Sequence, residues 1–183
     1  DRTKITKGAF YYHFPDKEAV AGAIIEEGGV RVEEATRRVT ESTSPSLEKL
    51  IRVTFVVAEM TRNDPIVRTG SRLRQGLDQI SPAGRRSYAE RLEHYIGVAH
   101  AAVAEGDVLD DIDPDELFEA VHTMDLGCHQ LSDALGQDLF AHLARSWRMF
   151  LRGIVPPENL PYFQEFVTRQ ARQCMPPDQE ESP

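Results

Sequence analysis

The stretch Thr6 to Lys17, TKGAFYYHFPDK, gathers groups suited to contacting phosphate. Thr6 is a natural N-cap, which places Lys7 and Gly8 in the first turn of a short helix. Small side chains and free N–H groups there allow close approach to an anion, favoured by the positive end of the helix dipole. Tyr11, Tyr12 and His13 add polar tips, and Lys17 brings charge to the start of the next helix. A helix whose N-terminal residues enter the DNA major groove has this chemistry. The same residues also suit a packing clip, because Phe10 and Phe14 share a face by i,i+4 spacing and the lysines then merely contact solvent.

The elements around this stretch read as helices. Pro15 ends the short helix, since the residue before proline disfavours the helical region, and Asp16 then caps a long one. Ser44-Pro45, Asp64-Pro65, Ser81-Pro82 and Asp113-Pro114 each set a capping side chain before a proline, and Glu116 completes a capping-box spacing with Asp113. Apolar residues between these starts keep the helical period. The stripes are Leu47-Leu50-Ile51-Phe55-Ala58, Leu92-Tyr95-Ile96-Ala99-Val103, Leu117-Val121-Met124-Cys128-Leu131-Leu135 and Leu139-Leu143-Trp147-Phe150-Leu151. The expectation is an all-α chain with helices at 16–42, 45–62, 65–78, 83–105, 114–135, 138–153 and 159–174. A polar, proline-rich tail at 175–183 is expected to fray.

The formal net charge of −9 argues against nucleic-acid binding over the whole surface. Residues 1–17, however, carry a net +2, which leaves −11 for the remainder. No apolar run approaches the roughly 20 residues of a membrane helix, and no secretory leader is visible. The two cysteines, Cys128 and Cys174, suggest no disulfide framework, so a cytoplasmic setting is the default expectation. Asp111, Asp113 and Asp115 alternate as in a calcium loop, but Glu116 stands where that loop needs glycine and His122 where it needs glutamate. The histidine spacings favour no metal site, and no HExxH, CxxC, GxSxG or P-loop occurs. Neither a cofactor nor an enzymatic activity is expected.

The run ITKGAFYYHFPDKEAV, with its threonine, lysine-glycine, paired aromatics, histidine-phenylalanine and downstream lysine, resembles the recognition-helix signature of the tetracycline-repressor (TetR) family of bacterial transcriptional regulators. That resemblance implies DNA contact by Thr6, Lys7, Gly8, Tyr11, Tyr12, His13 and Lys17. Lys4 departs from it, standing where the family usually has glycine. It also implies that residues 1–30 are the remainder of a helix-turn-helix head, with the first helix and most of the second falling before Asp1. The chain as written is therefore expected to bind DNA poorly. Residues 31–174 would form the ligand-binding and dimerisation domain.

SLEKLIRVTFVVAEMTRNDPIVRTGSRL, GDVLDDIDPDELFEAV and RGIVPP further resemble the γ-butyrolactone autoregulator receptor branch of that family. The resemblance implies a homodimeric repressor that reads a pseudo-palindromic double-stranded operator and leaves it when a small hydrophobic effector binds. Receptors of that branch commonly carry a ligand-sensing tryptophan after a proline-aromatic pair. Here Ser87-Tyr88 replaces the pair and Arg91 takes the tryptophan's place. A different autoregulator, a pseudo-receptor, or a helical small-molecule-binding module that no longer reads DNA fits these residues too. The ligand cleft is expected among the helices at 45–62, 65–78, 83–105 and 114–135, lined by Phe55, Met60, Leu73, Gln75, Tyr88, Leu92, Tyr95, Thr123, Met124 and Cys128, each of which equally suits a packed core, Cys128 on its apolar stripe above all. His129, Leu131, Leu135, Leu143, Trp147 and Leu151 are the candidates for an isologous dimer interface, the alternative being that part of this surface packs within the monomer.

Overall fold

Asp16 opens the first described helix as the sequence predicts, its Oδ1 accepting from Ala19 N at 2.7 Å. The computed structural model describes residues 16–76 and 82–174, without the side chains of 75, 76 and 82–91. Seven helices follow in this range: α1 Lys17–Thr40, α2 Ser46–Asn63, α3 Pro65–Gly76, α4 Pro82–Ala104, α5 Pro114–Leu135, α6 Leu139–Ile154 and α7 Leu160–Cys174. Every end lies within two residues of the sequence expectation, and no strand occurs among the described residues.

The capping expectations divide. Asp113 accepts from Asp115 N and Glu116 N, and Asp64 accepts from Ile66 N and Val67 N. Ser44 does not cap α2. The role passes to a distant carboxylate: Glu105, just past the end of α4, accepts from Ser46 N and Ser46 Oγ at 2.7 Å each. A charged acceptor at a helix N-terminus also meets the positive dipole end. Asp138 caps α6, and Gly136 closes α5 with φ 63°, a left-handed turn that glycine adopts without strain.

The core is built from α2, α4, α5, α6 and α7. Leu47, Ile51 and Phe55 of α2 meet Ala99 and Ala102 of α4, Leu117 of α5, Leu143, Trp147 and Leu151 of α6, and Phe163 and Val167 of α7. Each such fully buried large side chain contributes roughly 1.5–3 kcal/mol by removal from water. Trp147 sits at the centre, fully buried, and its indole N–H donates to Thr54 Oγ1 at 2.9 Å.

α1 contributes nothing to this apolar cluster. Its buried residues are small or polar: Gly28, Gly29, Thr36 and Thr40. It is tied to the body by Thr36 Oγ1 to Tyr95 Oη (2.6 Å), Thr40 Oγ1 to His94 Nε2 (2.6 Å) and Arg31 Nη1 to Asp64 Oδ2 (2.9 Å). Arg31 in turn holds the Asp64 carboxyl below its ordinary range.

Glycines let α1 and α3 cross backbone against backbone. A Cβ on Gly70 would meet Ile24 O at 2.9 Å, and one on Gly28 would meet Ile66 O at 3.3 Å. Gly70→Ala is therefore expected to destabilise the fold by about 1–3 kcal/mol through overpacking, against a gain in helix propensity of about 1 kcal/mol. Gly28→Ala should cost less. Urea unfolding of both variants checks the order, and equal effects at the two glycines would contradict it.

Candidate functional site

The candidate site lies where α1 meets the body, in a cavity partly open to solvent. A cavity of about 160 Å³ opens between Gly28, Gly29, Val32 and Glu33 of α1, Leu50, Val53, Thr54, Val57 and Thr61 of α2, and Val67, Ser71 and Arg74 of α3. Leu92 and Tyr95 of α4 and Phe118, Val121, His122, Asp125, Leu126 and His129 of α5 complete it. It is about the size of the ~150 Å³ protein cavity known to take benzene. Its wall is mainly apolar, with a few polar groups, as small-molecule sites generally are.

Most of these polar groups are already engaged. Tyr95 Oη bonds Thr36, Thr61 Oγ1 donates to Val57 O, and Thr54 Oγ1 donates to Ile51 O while accepting from Trp147. Asp125 and His129, one turn apart on α5, differ. Asp125 Oδ1 and His129 Nε2 are buried without a hydrogen-bond partner and stand 3.9 Å apart. Burial pushes the Asp125 carboxyl up to about 7 and draws His129 below its ordinary value. Burial also lowers His122. Outside the cavity wall, Arg72 clasps Asp133 through two 3.1 Å bonds and so joins α3 to α5.

Of the expected lining residues, Leu92 and Tyr95 reach the cavity. Gln75 and Tyr88 lie outside the described side chains. The others are corrected. Phe55 is buried in the core, because one helical step of about 100° turns it away from the cavity that Thr54 lines. Met60 and Leu73 are half-buried off the cavity wall. Thr123 and Met124 lie on a shallow outer depression with Glu116, Glu119 and Ala120. Cys128 packs toward α6, its Sγ donating to Ser146 Oγ at 3.3 Å, and burial raises its thiol.

The interface set is corrected likewise. Leu143, Trp147 and Leu151 are fully buried inside the single chain, and His129 faces the cavity, so none of the four is available to a partner. Leu131 and Leu135 are exposed at 52% and 59%. Among the DNA-contact set, Lys17 stands exposed at the start of α1. Thr6, Lys7, Gly8, Tyr11, Tyr12 and His13 lie outside the described residues.

The sequence reading passed over two contributions. One is the α1 wall, for which the Gly28-Gly29 pair inside a helix was the available signal of close approach. The other is Asp125, a carboxylate four residues after Val121 on an otherwise apolar stripe.

Comparison with known proteins agrees with this architecture. Residues 44–156 match the family described as Tetracyclin repressor-like, C-terminal domain. The chain belongs to this family. The A-factor receptor protein of Streptomyces griseus is 28% identical to it over 158 residues, 85% of this chain and 54% of the relative. The chain thus spans about half the length of that curated relative. A crystal structure of a γ-butyrolactone receptor, described as ArpA-like, aligns with a TM-score of 0.78 and 27% identity over 92% of this chain and 81% of that one. The TetR-family protein CprB of Streptomyces coelicolor, solved with its biological operator sequence, aligns with a TM-score of 0.71 and 28% identity over 92% and 82%. Among the described residues, no helix is long and apolar enough to cross a membrane.

Proposed function

We propose that this chain is the sensing and dimerising body, with the trailing part of the DNA-reading head, of a repressor released from its operator by a small hydrophobic effector such as a γ-butyrolactone-like autoregulator. The observation that carries the proposal is the cavity's position. Its wall includes α1 itself, and α1 is the helix that Lys17 begins, directly after the recognition-helix signature. The division between head and body near residue 30 falls inside this one helix. An effector that fills the space presses on Gly28, Gly29 and Val32 from α2, α4 and α5.

Among the described contacts, α1 is held by its glycines, by two threonine hydroxyls and by the Arg31–Asp64 ion pair, with no residue in the apolar core cluster. The Gly28–Gly70 crossing makes α1 and α3 move together. The effector must favour the displaced arrangement over the operator-bound one, and the coupling between effector and operator is reciprocal. Two heads bound to half-sites one turn apart require a dimer. Leu131 and Leu135 on α5, with Met149 on α6 exposed at 67%, offer the apolar face for it.

The test is fluorescence anisotropy of the full-length protein on DNA from upstream of its own gene, across a salt series, with and without a synthetic γ-butyrolactone. Salt-sensitive binding released by the lactone is the expected result. Lys7→Ala should weaken binding and reduce the salt slope by about 1 while the dimer persists. Loss of the dimer in that variant would contradict its role.

A pseudo-receptor or sequestering module is the second reading, favoured by Arg91 standing where the resemblance expects tryptophan. Absence of DNA binding at low salt, with ligand binding retained, would select it.

A further inference from the structure

Asp125 and His129 line the cavity, and one polar atom of each is buried without a hydrogen-bond partner. Asp125 Oδ1 and His129 Nε2 belong to side chains only 13% and 9% exposed, and their 3.9 Å separation is too long for a hydrogen bond. Buried polar atoms without partners carry a desolvation penalty, so the pair is poised for a third polar group. Thr54, Thr61 and Tyr95 are bonded within the protein, which makes Asp125 and His129 the part of the wall best placed to orient a ligand.

Geometry narrows the group. Neither atom is open to the cavity at rest, so a ligand oxygen reaches both, about 2.8 Å from each and with about 90° between them, only when the two side chains turn toward it, and that angle is within reach of an sp³ hydroxyl. A hydroxyl both donates and accepts. It donates to an ionised Asp125 and accepts from His129 Nε2–H. When Asp125 holds its proton, the hydroxyl accepts from that carboxyl and donates to the bare Nε2 of the other tautomer. A carbonyl cannot donate, and an ammonium cannot accept. Burial holds Asp125 at about 7, so both forms are populated near neutrality and a group that suits both is favoured.

We propose that Asp125 and His129 form a hydroxyl-reading subsite, and that the cavity takes a neutral ligand carrying a hydroxyl on an apolar frame about the size of a six-membered ring. The apolar frame would rest against Val67, Leu92, Val121 and Leu126, and the cavity volume of about 160 Å³ limits its bulk. The inference rests on reading this cavity as the effector site.

Benzyl alcohol and ethylbenzene test it, since they differ only in a hydroxyl against a methyl group. Trp147 is the chain's single tryptophan, and its indole bonds Thr54 in the cavity wall, so its fluorescence reports occupancy. Each probe is titrated into the full chain and into the Asp125→Leu and His129→Leu variants, with helicity checked by circular dichroism. Benzyl alcohol affinity is expected to fall about tenfold or more in each variant, while ethylbenzene binds equally well or better. The two substitutions are independent, so the comparison survives if one of them fails to fold. Equal changes for the two probes, or unchanged benzyl alcohol binding, would overturn the hydroxyl subsite and leave the effector site standing. If neither probe perturbs Trp147 in the parent chain, the effector-site reading falls and the subsite falls with it.

Discussion

Trp147→Ala is expected to lower the free energy of unfolding by about 3–5 kcal/mol, with a fall in Tm on the order of 10 °C. The indole is fully buried where α2, α6 and α7 meet, packs edge-on to Phe150 with ring centroids 6.0 Å apart, and donates to Thr54. Alanine leaves a void that rigid neighbours such as Leu47, Ile51 and Leu143 refill only in part. Trp147→Phe should cost far less, because Thr54 Oγ1 keeps its bond to Ile51 O when the indole donor is lost. Dimer affinity separates this role from the interface role suggested by sequence. A core residue lowers the stability of the fold, whereas an interface residue raises the dissociation constant of the dimer. Trp147→Phe, which keeps the fold, is expected to leave the dissociation constant measured by sedimentation within about threefold of the parent, and a rise of about tenfold or more would return Trp147 to the interface.

That case shows where sequence reasoning stops. Helical period identifies an apolar face, and the described stripes are buried or half-buried apart from Leu131 and Leu135, because a 3.6-residue repeat forces apolar residues onto one side. The prolines with their capping aspartates located the helix starts for the same local reason. What period cannot report is what covers the face. Leu143, Trp147 and Leu151 form a stripe that suits a four-helix dimer as well as a subunit core, and only the packing of α2 and α7 against it decides. The Ser44 cap failed for a similar reason. Glu105, far along the chain, reaches Ser46 first, and a charged acceptor outcompetes a hydroxyl.

The cavity was legible in outline. Its location among the helices at 45–62, 65–78, 83–105 and 114–135 is matched by the walls from α2, α3, α4 and α5. Individual lining residues were much less legible, because one step along a helix turns a side chain by about 100°. Thr54 and Phe55 therefore face different spaces, as do Thr123 and His122. The α1 wall was hidden for a different reason. Helix α1 approaches through glycines and threonines, which leave no stripe of large apolar residues to mark its buried face. The weak apolar tie that hid it from pattern reading is the property that suits α1 to transmit a change.

Replacing Asp125 should reshape how stability depends on pH. Burial raises its folded-state pKa from 3.8 to about 7. Between those values the folded chain holds a proton that the unfolded chain has released, so this group's contribution to stability falls as pH rises through the interval and is fully unfavourable above it. About three units at 1.36 kcal/mol each set an upper scale of about 4 kcal/mol. Asp125→Asn removes the titration and keeps the shape. At pH 8 the variant is expected to be more stable than its parent by about 2–4 kcal/mol, and near pH 4 by little or nothing. His129 works in the opposite sense. Its pKa is lowered, so it must shed a proton to stay buried, and its contribution grows as pH rises toward 6.5. In the parent the two slopes oppose one another. In Asp125→Asn only the rising one persists, so stability should climb to about pH 6.5 and then level off. The other groups facing the pair are Glu33 from α1, Arg74 from α3, Tyr95 from α4 and His122, Cys128 and Asp133 on α5; they are common to both proteins, but the Asp125 charge helps raise the Cys128 thiol, so that contribution changes with the substitution. Chemical denaturation from pH 4 to 9 supplies that difference curve. A curve that stays flat across the range would mean that Asp125 titrates as an ordinary carboxylate, and the pair would then meet a ligand's hydroxyl only with Asp125 ionised.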